Sequence, residues 1–206
     1  VLAIFLVVAA IFLANGVAQA DEDKYTQKYT AQVQKYTAQI QKNPNDAVAY
    51  YNRGIAYDKL YERELAIKDY SKAIQLNPKY INAYDKRGLD YINLNQYKMA
   101  LADFDKAIAL NPKKAIFYRR RGLCYGYLEQ YELAILDLSK EIEINPKDPI
   151  AYYLRGEYYA KPGNLKLAKA DFAKADEIGY KEWHFVSKKA LRRDVGGFFR
   201  WNILPA

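Results

Sequence analysis

The chain has little of the chemistry that metal sites and hydrolytic active sites need. Its 206 residues include one cysteine and one histidine, and serine occurs only at 71, 139 and 187. A single cysteine excludes an internal disulfide, and one cysteine with one histidine is too few ligands for a zinc or haem site. A serine nucleophile paired with a histidine base has few ways to form. The composition therefore predicts a protein that is not an enzyme and holds no cofactor or metal, with Cys124 and His184 in packing or surface roles.

What the chain does have is apolar material and positive charge. Hydrophobic residues make up 51% and charged residues 27%, which excludes a wholly disordered chain. The formal net charge of +8 favours acidic partners or anionic surfaces. No established nucleic-acid motif accompanies the lysines and arginines, so we expect no nucleic-acid partner.

The N-terminal residues have the composition of an export signal. Residues 1–14 are an unbroken apolar run, and Ala18-Gln19-Ala20 precedes the acidic residues that start at Asp21. This pattern predicts that residues 1–20 are either a cleaved signal peptide or a retained hydrophobic anchor. Either alternative predicts export to a periplasm, the extracellular space or an organelle lumen, and a membrane is a partner only if the segment is retained.

Residues 21–42 contain two near-copies of one heptad, KYTAQVQ at 28–34 and KYTAQIQ at 35–41. Tyr29, Val33, Tyr36 and Ile40 step by four, three and four positions, which places them on one stripe of an amphipathic helix. We favour a capping helix that packs this stripe on the next helix of the same chain. The alternative is a short coiled coil that joins two copies.

A repeat of constant length dominates the rest of the sequence. Asn-Pro pairs begin at 43, 77, 111 and 145, and other columns recur at the same interval. One face of a first helix is formed by tyrosine, glycine and tyrosine, at offsets of four and three. The facing stripe of a second helix is formed by alanine, a large apolar residue and a small residue. The columns are Tyr50, Tyr84, Tyr118, Tyr152; Gly54, Gly88, Gly122, Gly156; Tyr57, Tyr91, Tyr125, Tyr159; Ala66, Ala100, Ala134, Ala168; Tyr70, Phe104, Leu138, Phe172; and Ala73, Ala107, Glu141, Ala175.

This pattern resembles the tetratricopeptide repeat family over 43–180, with Glu141, Tyr180 and the turn at 161–164 as departures. The resemblance implies an all-α right-handed solenoid of helical hairpins, with repeats at 43–76, 77–110, 111–144 and 145–180. The helix pairs expected are 47–60 with 63–76, 81–94 with 97–110, 115–128 with 131–144, and 149–161 with 165–178. We expect a closing helix within 181–195, which covers the last exposed face, and an aromatic tail at 196–206.

Two further columns are charged. An arginine precedes each repeat glycine, and an aspartate follows sixteen positions later. We predict a structural ladder of bidentate pairs; a row of arginines aimed at an anionic ligand is the alternative. The members are Arg53, Asp69, Arg87, Asp103, Arg121, Asp137, Arg155 and Asp171.

The resemblance also implies a concave groove lined by the first helices. Basic and tyrosine side chains there would bind a protein or peptide, including an acidic one. A plain solvated face is the alternative. The candidate groove residues are Tyr51, Asn52, Asn82, Lys86, Arg119, Arg120, Tyr127 and Tyr153.

The tail contains five large apolar side chains that either fold back as a lid or dock into another subunit. They are Phe198, Phe199, Trp201, Ile203 and Leu204. We interpret the whole chain as an exported, non-catalytic adaptor that holds other proteins through its groove and termini. The alternative is a structural subunit of a membrane-bound complex or extracellular filament that keeps its hydrophobic N-terminus and self-associates.

Overall fold

The computed structural model describes the backbone of residues 2–179 and the side chains of residues 22–179. Every regular element within that part of the chain is an α-helix, which confirms the predicted all-α solenoid. The helices are α1 Leu2–Lys42, α2 Ala47–Lys59, α3 Arg63–Leu76, α4 Ile81–Asn93, α5 Tyr97–Leu110, α6 Ala115–Tyr127, α7 Tyr131–Ile144, α8 Pro149–Ala160 and α9 Leu165–Glu177.

The eight helices α2 to α9 form four hairpins, and each second helix packs against the first helix of the next repeat. All eight begin at the residues that the repeat interval predicts. The four first helices and α9 each end one residue earlier than predicted.

The early end of the first helices has a backbone cause. One column of the repeat, just after the first helix, adopts a positive φ: 61° at Tyr61, 58° at Asn95, 58° at Glu129 and 89° at Gly163. The amide of the following residue then donates back across the turn, as Glu62 does to the carbonyl of Tyr57 at 2.9 Å. The altered fourth turn places a glycine at this column, where the left-handed conformation favours one.

Glycine and an aromatic ring interlock inside three of the hairpins. A Cβ added at Gly54 would lie 2.6 Å from the ring of Tyr70, and one at Gly88 would lie 2.8 Å from the ring of Phe104. In the third repeat the large residue is a leucine, and a Cβ at Gly122 would have its nearest contact at 3.3 Å. The first helix therefore approaches the second closely because its central residue has no side chain.

The C-terminal part of α1 packs against α2, as the capping interpretation predicts. Within the predicted stripe, Ile40 is 9% exposed, whereas Tyr29, Val33 and Tyr36 are half-buried. The backbone of α1 is helical without interruption from Leu2, so the boundary predicted at residue 20 coincides with no helix end.

The outer face of α9 is polar. The earlier second helices carry isoleucine or leucine at two positions that pack toward the next first helix, and α9 has Lys169 and Asp176 there. A polar outer face is typical of the terminal repeat of a solenoid. The corresponding residues of the earlier repeats are Ile67, Leu101, Ile135, Ile74, Ile108 and Ile142.

Four of the predictions concern residues outside the described part of the chain. They cover the side chains of the hydrophobic segment 1–20, the packing or surface role of His184, the closing helix within 181–195, and the tail residues Phe198, Phe199, Trp201, Ile203 and Leu204; all four stay predictions. Within the residues whose side chains are described, no helical stretch is long and apolar enough to cross a membrane.

Candidate protein-interaction surface

The four repeat arginines each bind the aspartate of the same repeat through two hydrogen bonds. In the second repeat, Arg87 Nε donates to Asp103 Oδ2 at 2.9 Å and Nη2 donates to Oδ1 at 2.6 Å. This two-pronged contact joins the first and second helices of the hairpin. The other three pairs have the same geometry, with distances between 2.6 and 2.8 Å: Arg53 with Asp69, Arg121 with Asp137, and Arg155 with Asp171.

Each ladder arginine also contacts the preceding second helix or, in the first repeat, α1. Its remaining nitrogen, Nη1, donates to a side chain there, for example from Arg87 to Ser71 Oγ at 2.8 Å. This link is not among the predictions from the sequence, although its signal, a polar side chain sixteen positions before each arginine, is present. The same contact recurs from Arg53 to Thr37, from Arg121 to Asp105 and from Arg155 to Ser139.

Tyrosines complete the surroundings of the ladder. Each guanidinium lies between the two tyrosines of its own helix, as Arg87 does at 5.8 Å from the Tyr84 ring centre and 5.9 Å from that of Tyr91. The hydroxyl of Tyr118 donates to the carbonyl of Pro112 at 3.1 Å. The repeat tyrosines therefore combine core packing, cation–π contact and a hydrogen bond at the repeat boundary.

The charges of the ladder are satisfied within the fold. Burial raises the pKa of Asp103 and Asp137, while the hydrogen bonds from their arginines act in the opposite direction. The pKa values of Arg53 and Arg121 are raised, chiefly by the hydrogen bond to the aspartate. Each ladder arginine makes three directed contacts and is at most 21% exposed, so the row offers no free cation to an anionic ligand.

A second set of side chains lies on the first helices, on the side where neighbouring first helices meet. We call this the first-helix surface and define it by the eight candidate groove residues together with Val48 and Ile150. The helix α4 contacts both α2 and α6. Through these contacts the first helices of the first three repeats are joined side by side.

The two arginines at the middle of this surface are already ion-paired. Arg119 Nη1 donates to Asp148 Oδ2 at 2.8 Å, and its Nε lies 3.3 Å from Glu141 Oε1. Arg120 pairs with Asp85 of the preceding first helix. The predicted basic centre is therefore largely neutralised within the chain, by acids that lie in neighbouring elements.

The tyrosines of this surface differ in accessibility. Tyr127 is 38% exposed and stacks on Tyr97 with ring centres 4.8 Å apart. Tyr51 is half-buried between Tyr70 and Tyr80, with ring centres at 5.8 and 4.8 Å, and burial raises its pKa to about 12.

The remaining candidate groove residues are polar or partly covered. The Tyr153 hydroxyl donates to Glu157 at 3.2 Å. Asn82 is exposed, while Asn52 and Lys86 are half-buried. These side chains surround the central ion pairs with further polar groups.

Apolar side chains accompany the tyrosines. Val48 at the start of α2 is 55% exposed, and Ile150 at the start of α8 is 41% exposed. The first-helix surface therefore offers apolar and tyrosine contacts at both of its ends, with paired charges between them.

An acidic pair, half-buried Asp58 and buried Asp90, lies between the first two repeats, and it is not among the predictions from the sequence. Asp90 is 2% exposed and shares a side-chain hydrogen bond with Asp58, and burial followed by the charge of Asp58 raises the pKa of Asp90. Arg63 and Lys86 are the cations that oppose this shift. One Asp90 oxygen, the Tyr70 hydroxyl and Arg63 Nε have no hydrogen-bond partner in the described structure.

Glu141 makes stability depend on pH. Its carboxyl is 1% exposed, and burial raises its pKa from 4.5 to about 8, while Arg119 acts in the opposite direction. Folded Glu141 therefore holds its proton at pH values where the unfolded chain has released it. The stability that Glu141 contributes by holding this proton in the folded state is fully present below about pH 4.5. As pH rises from there toward 8, the free energy of unfolding falls by up to about 1.4 kcal/mol per pH unit.

We expect urea unfolding of Glu141→Gln between pH 5 and 8 to show a shallower loss of stability with rising pH than the wild type. Glu143→Gln is the matched control, because Glu143 lies on the same helix and is exposed. An unchanged pH slope in Glu141→Gln would contradict this assignment.

Among the residues whose side chains the structure describes, no group of three or more histidine, cysteine, aspartate or glutamate side chains could hold a metal ion. The arrangement combines exposed apolar and aromatic side chains with charges that are paired internally.

Sequence models of the tetratricopeptide repeat match residues 47–80, 81–114 and 150–178. The columns of these repeats continue through the third hairpin, which lies between the second and third matches. The chain therefore folds as an array of tetratricopeptide repeats.

Solved structures with the same fold support this conclusion. A crystal structure of MamA is 25% identical and superposes with a TM-score of 0.73, covering 80% of this chain and 96% of that one. A MamA fragment from Desulfovibrio magneticus RS-1 is 23% identical, with a TM-score of 0.66 and coverage of 77% and 97%. YrrB, described as a tetratricopeptide repeat protein with an unusual peptide-binding site, is 29% identical, with a TM-score of 0.64 and coverage of 72% and 77%. No curated protein sequence matches the chain significantly.

Proposed function

We propose that this protein is a non-catalytic adaptor that binds a peptide or protein segment along its first-helix surface. The observation that carries the proposal is the exposure of Val48, Tyr127 and Ile150, three large apolar or aromatic side chains on this surface. Exposed apolar contacts bordered by polar groups are typical of protein-binding surfaces. The description of YrrB as having a peptide-binding site supports the same use of this fold.

The ion pairs refine the chemistry of the proposed partner. Arg119 and Arg120 are paired with Asp148 and Asp85, so an acidic ligand group would have to compete with carboxylates already in place. We therefore propose that apolar and aromatic ligand groups provide most of the affinity at this surface, and that acidic ligand groups contribute little.

The experiment begins with peptides selected from a random display library on the full chain. Affinity of a selected peptide is then measured for the wild type, Tyr127→Ala and Tyr61→Ala. Tyr61 is the matched control, because it is 73% exposed but lies in a turn between helices. We expect at least about a tenfold loss in Tyr127→Ala, equivalent to about 1.4 kcal/mol, and no change in Tyr61→Ala.

A selected peptide that binds both variants as it binds the wild type would contradict the proposed surface. Loss of binding on deletion of residues 196–206, with Tyr127→Ala unaffected, would assign the contact to the C-terminal tail instead. Arg119→Ala and Arg120→Ala test the charge argument, and a small effect on affinity supports it.

We further propose that the protein is exported, on the strength of the apolar run at 1–14 and the Ala18-Gln19-Ala20 sequence. The alternative is a structural subunit that retains the hydrophobic segment. Intact mass of the native protein distinguishes the two: a chain that begins at Asp21 supports cleavage, and one that keeps residues 1–20 supports retention.

A further inference from the structure

The C-terminal part of α1 occupies the place of a second helix in an additional, incomplete repeat. One repeat interval before Tyr70 and Ile74 lie Tyr36 and Ile40, residues of the same type. The Asn-Pro pair that follows α3 likewise has a counterpart at 43–44, after α1. The residues around 32–42 therefore continue the repeat toward the N-terminus.

The contacts of α1 agree with this alignment. Arg53 Nη1 donates to Thr37 Oγ1 at 3.1 Å, in the same way that Arg87 Nη1 donates to Ser71 Oγ at 2.8 Å. Thr37 lies one repeat interval before Ser71. Thus α1 is joined to α2 as each second helix is joined to the first helix of the next repeat.

What this incomplete repeat lacks is its first helix. In the complete first repeat, Ala66, Tyr70 and Ala73 are fully buried because α2 covers them. The residues that would form the equivalent helix before residue 32 continue the uninterrupted helix α1 instead. As a result Tyr36 is only half-buried, and the residue equivalent to Ala73, Gln39, is exposed.

We call this uncovered side the α1 outer face. Tyr36 is half-buried, so its ring keeps an accessible edge. A partly open aromatic ring on a helix is a contact that a second helix can cover. The face is defined by Lys28, Gln32, Lys35, Tyr36 and Gln39.

The charge at the ladder position of this face is reversed. Lys35 lies one repeat interval before Asp69, and every complete repeat has a buried aspartate at this position. Those aspartates bind the arginine of their own first helix, as Asp69 binds Arg53 at 2.7 and 2.8 Å. A helix that covered α1 with an arginine in the same place would bring two cations together. The partner helix therefore needs a carboxylate where the first helices of this chain have arginine.

A row of lysines extends this positive charge along the helix. Lys24, Lys28, Lys35 and Lys42 are separated by four, seven and seven positions, which places them along one edge of α1. All four are exposed, and none forms an ion pair among the described residues, in contrast to Lys140 and Lys174. The ammonium groups of Lys28 and Lys35 lie over the rings of Tyr29 and Tyr36 at 5.2 and 5.4 Å.

The lysine row also disfavours a second copy of α1 as the occupant. The two helices of each hairpin in this array are antiparallel, and in a two-fold antiparallel pair the same edge of each helix meets its equivalent. Two lysine rows would then lie side by side, and like charges at such positions repel. The α1 outer face is therefore matched to a helix of a different sequence.

We infer that the α1 outer face binds an amphipathic helix of another protein, which carries a glutamate or aspartate followed directly by a glycine. The acid would pair with Lys35 as Arg53 pairs with Asp69. The glycine would lie against Tyr36 as Gly54 lies against Tyr70, where an added Cβ would be only 2.6 Å from the ring. The bound helix would take the place of the missing first helix.

The probe for the first test comes from this chain itself. Residues 47–59 form the helix α2, and a peptide of this sequence with Arg53→Glu carries a glutamate directly before Gly54. The unchanged sequence is the matched control peptide, because the two differ only in the charge at the ladder position. Both need a side-chain bridge on an exposed side to hold the helix, since isolated helices of this length are marginal in water.

We expect the full chain to bind the Arg53→Glu peptide at least about tenfold more tightly than the unchanged peptide in fluorescence anisotropy. The variant Lys35→Glu should reverse this preference. Lys98→Glu is the matched control, because Lys98 is exposed on α5 and its substitution changes the net charge equally. Binding of neither peptide, an unchanged preference in Lys35→Glu, or an equal loss in Lys98→Glu would overturn the inference.

Two further measurements separate other occupants of the same face. An assembly of the full chain that is dissociated by Gln32→Lys would assign the face to a second copy. Binding to phosphatidylserine vesicles that is lost in Lys35→Glu and kept in Lys98→Glu would assign it to a membrane surface. Either result would overturn the inference. Tyr127→Ala should leave binding of the Arg53→Glu peptide unchanged, so a failure of the first-helix surface does not affect this test.

Discussion

Replacing Gly88 by alanine is expected to destabilise the array by about 2 to 3 kcal/mol, since an added methyl group would overlap a well-packed ring. Its Cβ would lie 2.8 and 2.9 Å from two carbons of the Phe104 ring. That ring is fully buried against Tyr91, Ala100 and Cys124, so it has no room to move aside. Urea unfolding followed by circular dichroism measures the effect.

The same substitution at Gly122 is the control. There the nearest atoms to an added Cβ are the Ala134 carbonyl oxygen at 3.3 Å and Asp137 Cβ at 3.4 Å, because the large residue of this repeat is Leu138. The helix propensity gained by alanine is about 1 kcal/mol, and it offsets the mild crowding. We expect Gly122→Ala to change stability by less than about 1 kcal/mol in either direction.

A double variant separates the ring contact from other effects. Phe104→Leu added to Gly88→Ala reproduces the glycine-to-alanine change against a leucine, as in the third repeat. We expect the second change to recover part of the loss. Equal destabilisation at Gly88 and Gly122, or no recovery in the double variant, would refute the packing argument.

Removing one carboxylate of the ladder is expected to have the largest effect of any polar substitution. Asp103→Ala leaves Arg87, which is only 18% exposed, without its bidentate partner. Loss of one partner of a buried ion pair costs about 3 to 5 kcal/mol. We expect Asp103→Ala to unfold at a much lower urea concentration than the wild type.

The control lies two positions further along the same helix. Asp105 also accepts a hydrogen bond from a ladder arginine, Arg121, but its side chain is 56% exposed. Water can take the place of the exposed Asp105 carboxylate beside Arg121. Asp105→Ala should therefore lower the free energy of unfolding by less than about 1 kcal/mol.

A double variant tests whether the cost comes from the unpaired charge. Arg87→Met with Asp103→Leu removes both charges, and apolar replacement of both members of a buried pair is often close to neutral. We expect this variant to be more stable than Asp103→Ala. If it is less stable, the ladder contributes favourable energy beyond avoiding an unpaired charge.

Repetition of the chain decides which features could be predicted from the sequence. The glycine face and the arginine–aspartate pairs recur in every repeat, and four aligned copies show which positions face one another. The helix starts could be predicted for the same reason. The predicted ends of the first helices lie one residue late, and at Tyr61, Asn95 and Glu129 no glycine marks the left-handed turn.

Features that occur in one repeat only could not be predicted in this way. The sequence marks Glu141 as a departure from its column but does not reveal its approach to Arg119. Arg119 and Arg120 have the pattern of ligand-facing cations, whereas the structure pairs them with Asp148 of the following repeat boundary and Asp85 of the preceding first helix.

At the N-terminal end of the array, too, one feature could be predicted from the sequence and another depends on the tertiary structure. The heptad pattern predicts that α1 packs on the next helix, and α1 contacts α2 in the structure. Which side of α1 remains open depends on the helix continuing without a turn before residue 32, and the spacing of its tyrosines does not reveal this. The contact of Thr37 with Arg53, equivalent to that of Ser71 with Arg87, places Lys35 at the position of the ladder aspartates.

The sequence by itself therefore determined the period, the helical hairpins, the close packing at Gly54 and Gly88, and the ladder pairing, because each depends on local spacing repeated at a constant interval. The tertiary structure decided which charges of the first-helix surface are neutralised, which side of α1 stays uncovered, and which carboxyls lose contact with water. These depend on the distance between particular side chains of neighbouring repeats. Coulomb energy and desolvation vary with that distance and with burial, and neither is encoded in the spacing of residues along the chain.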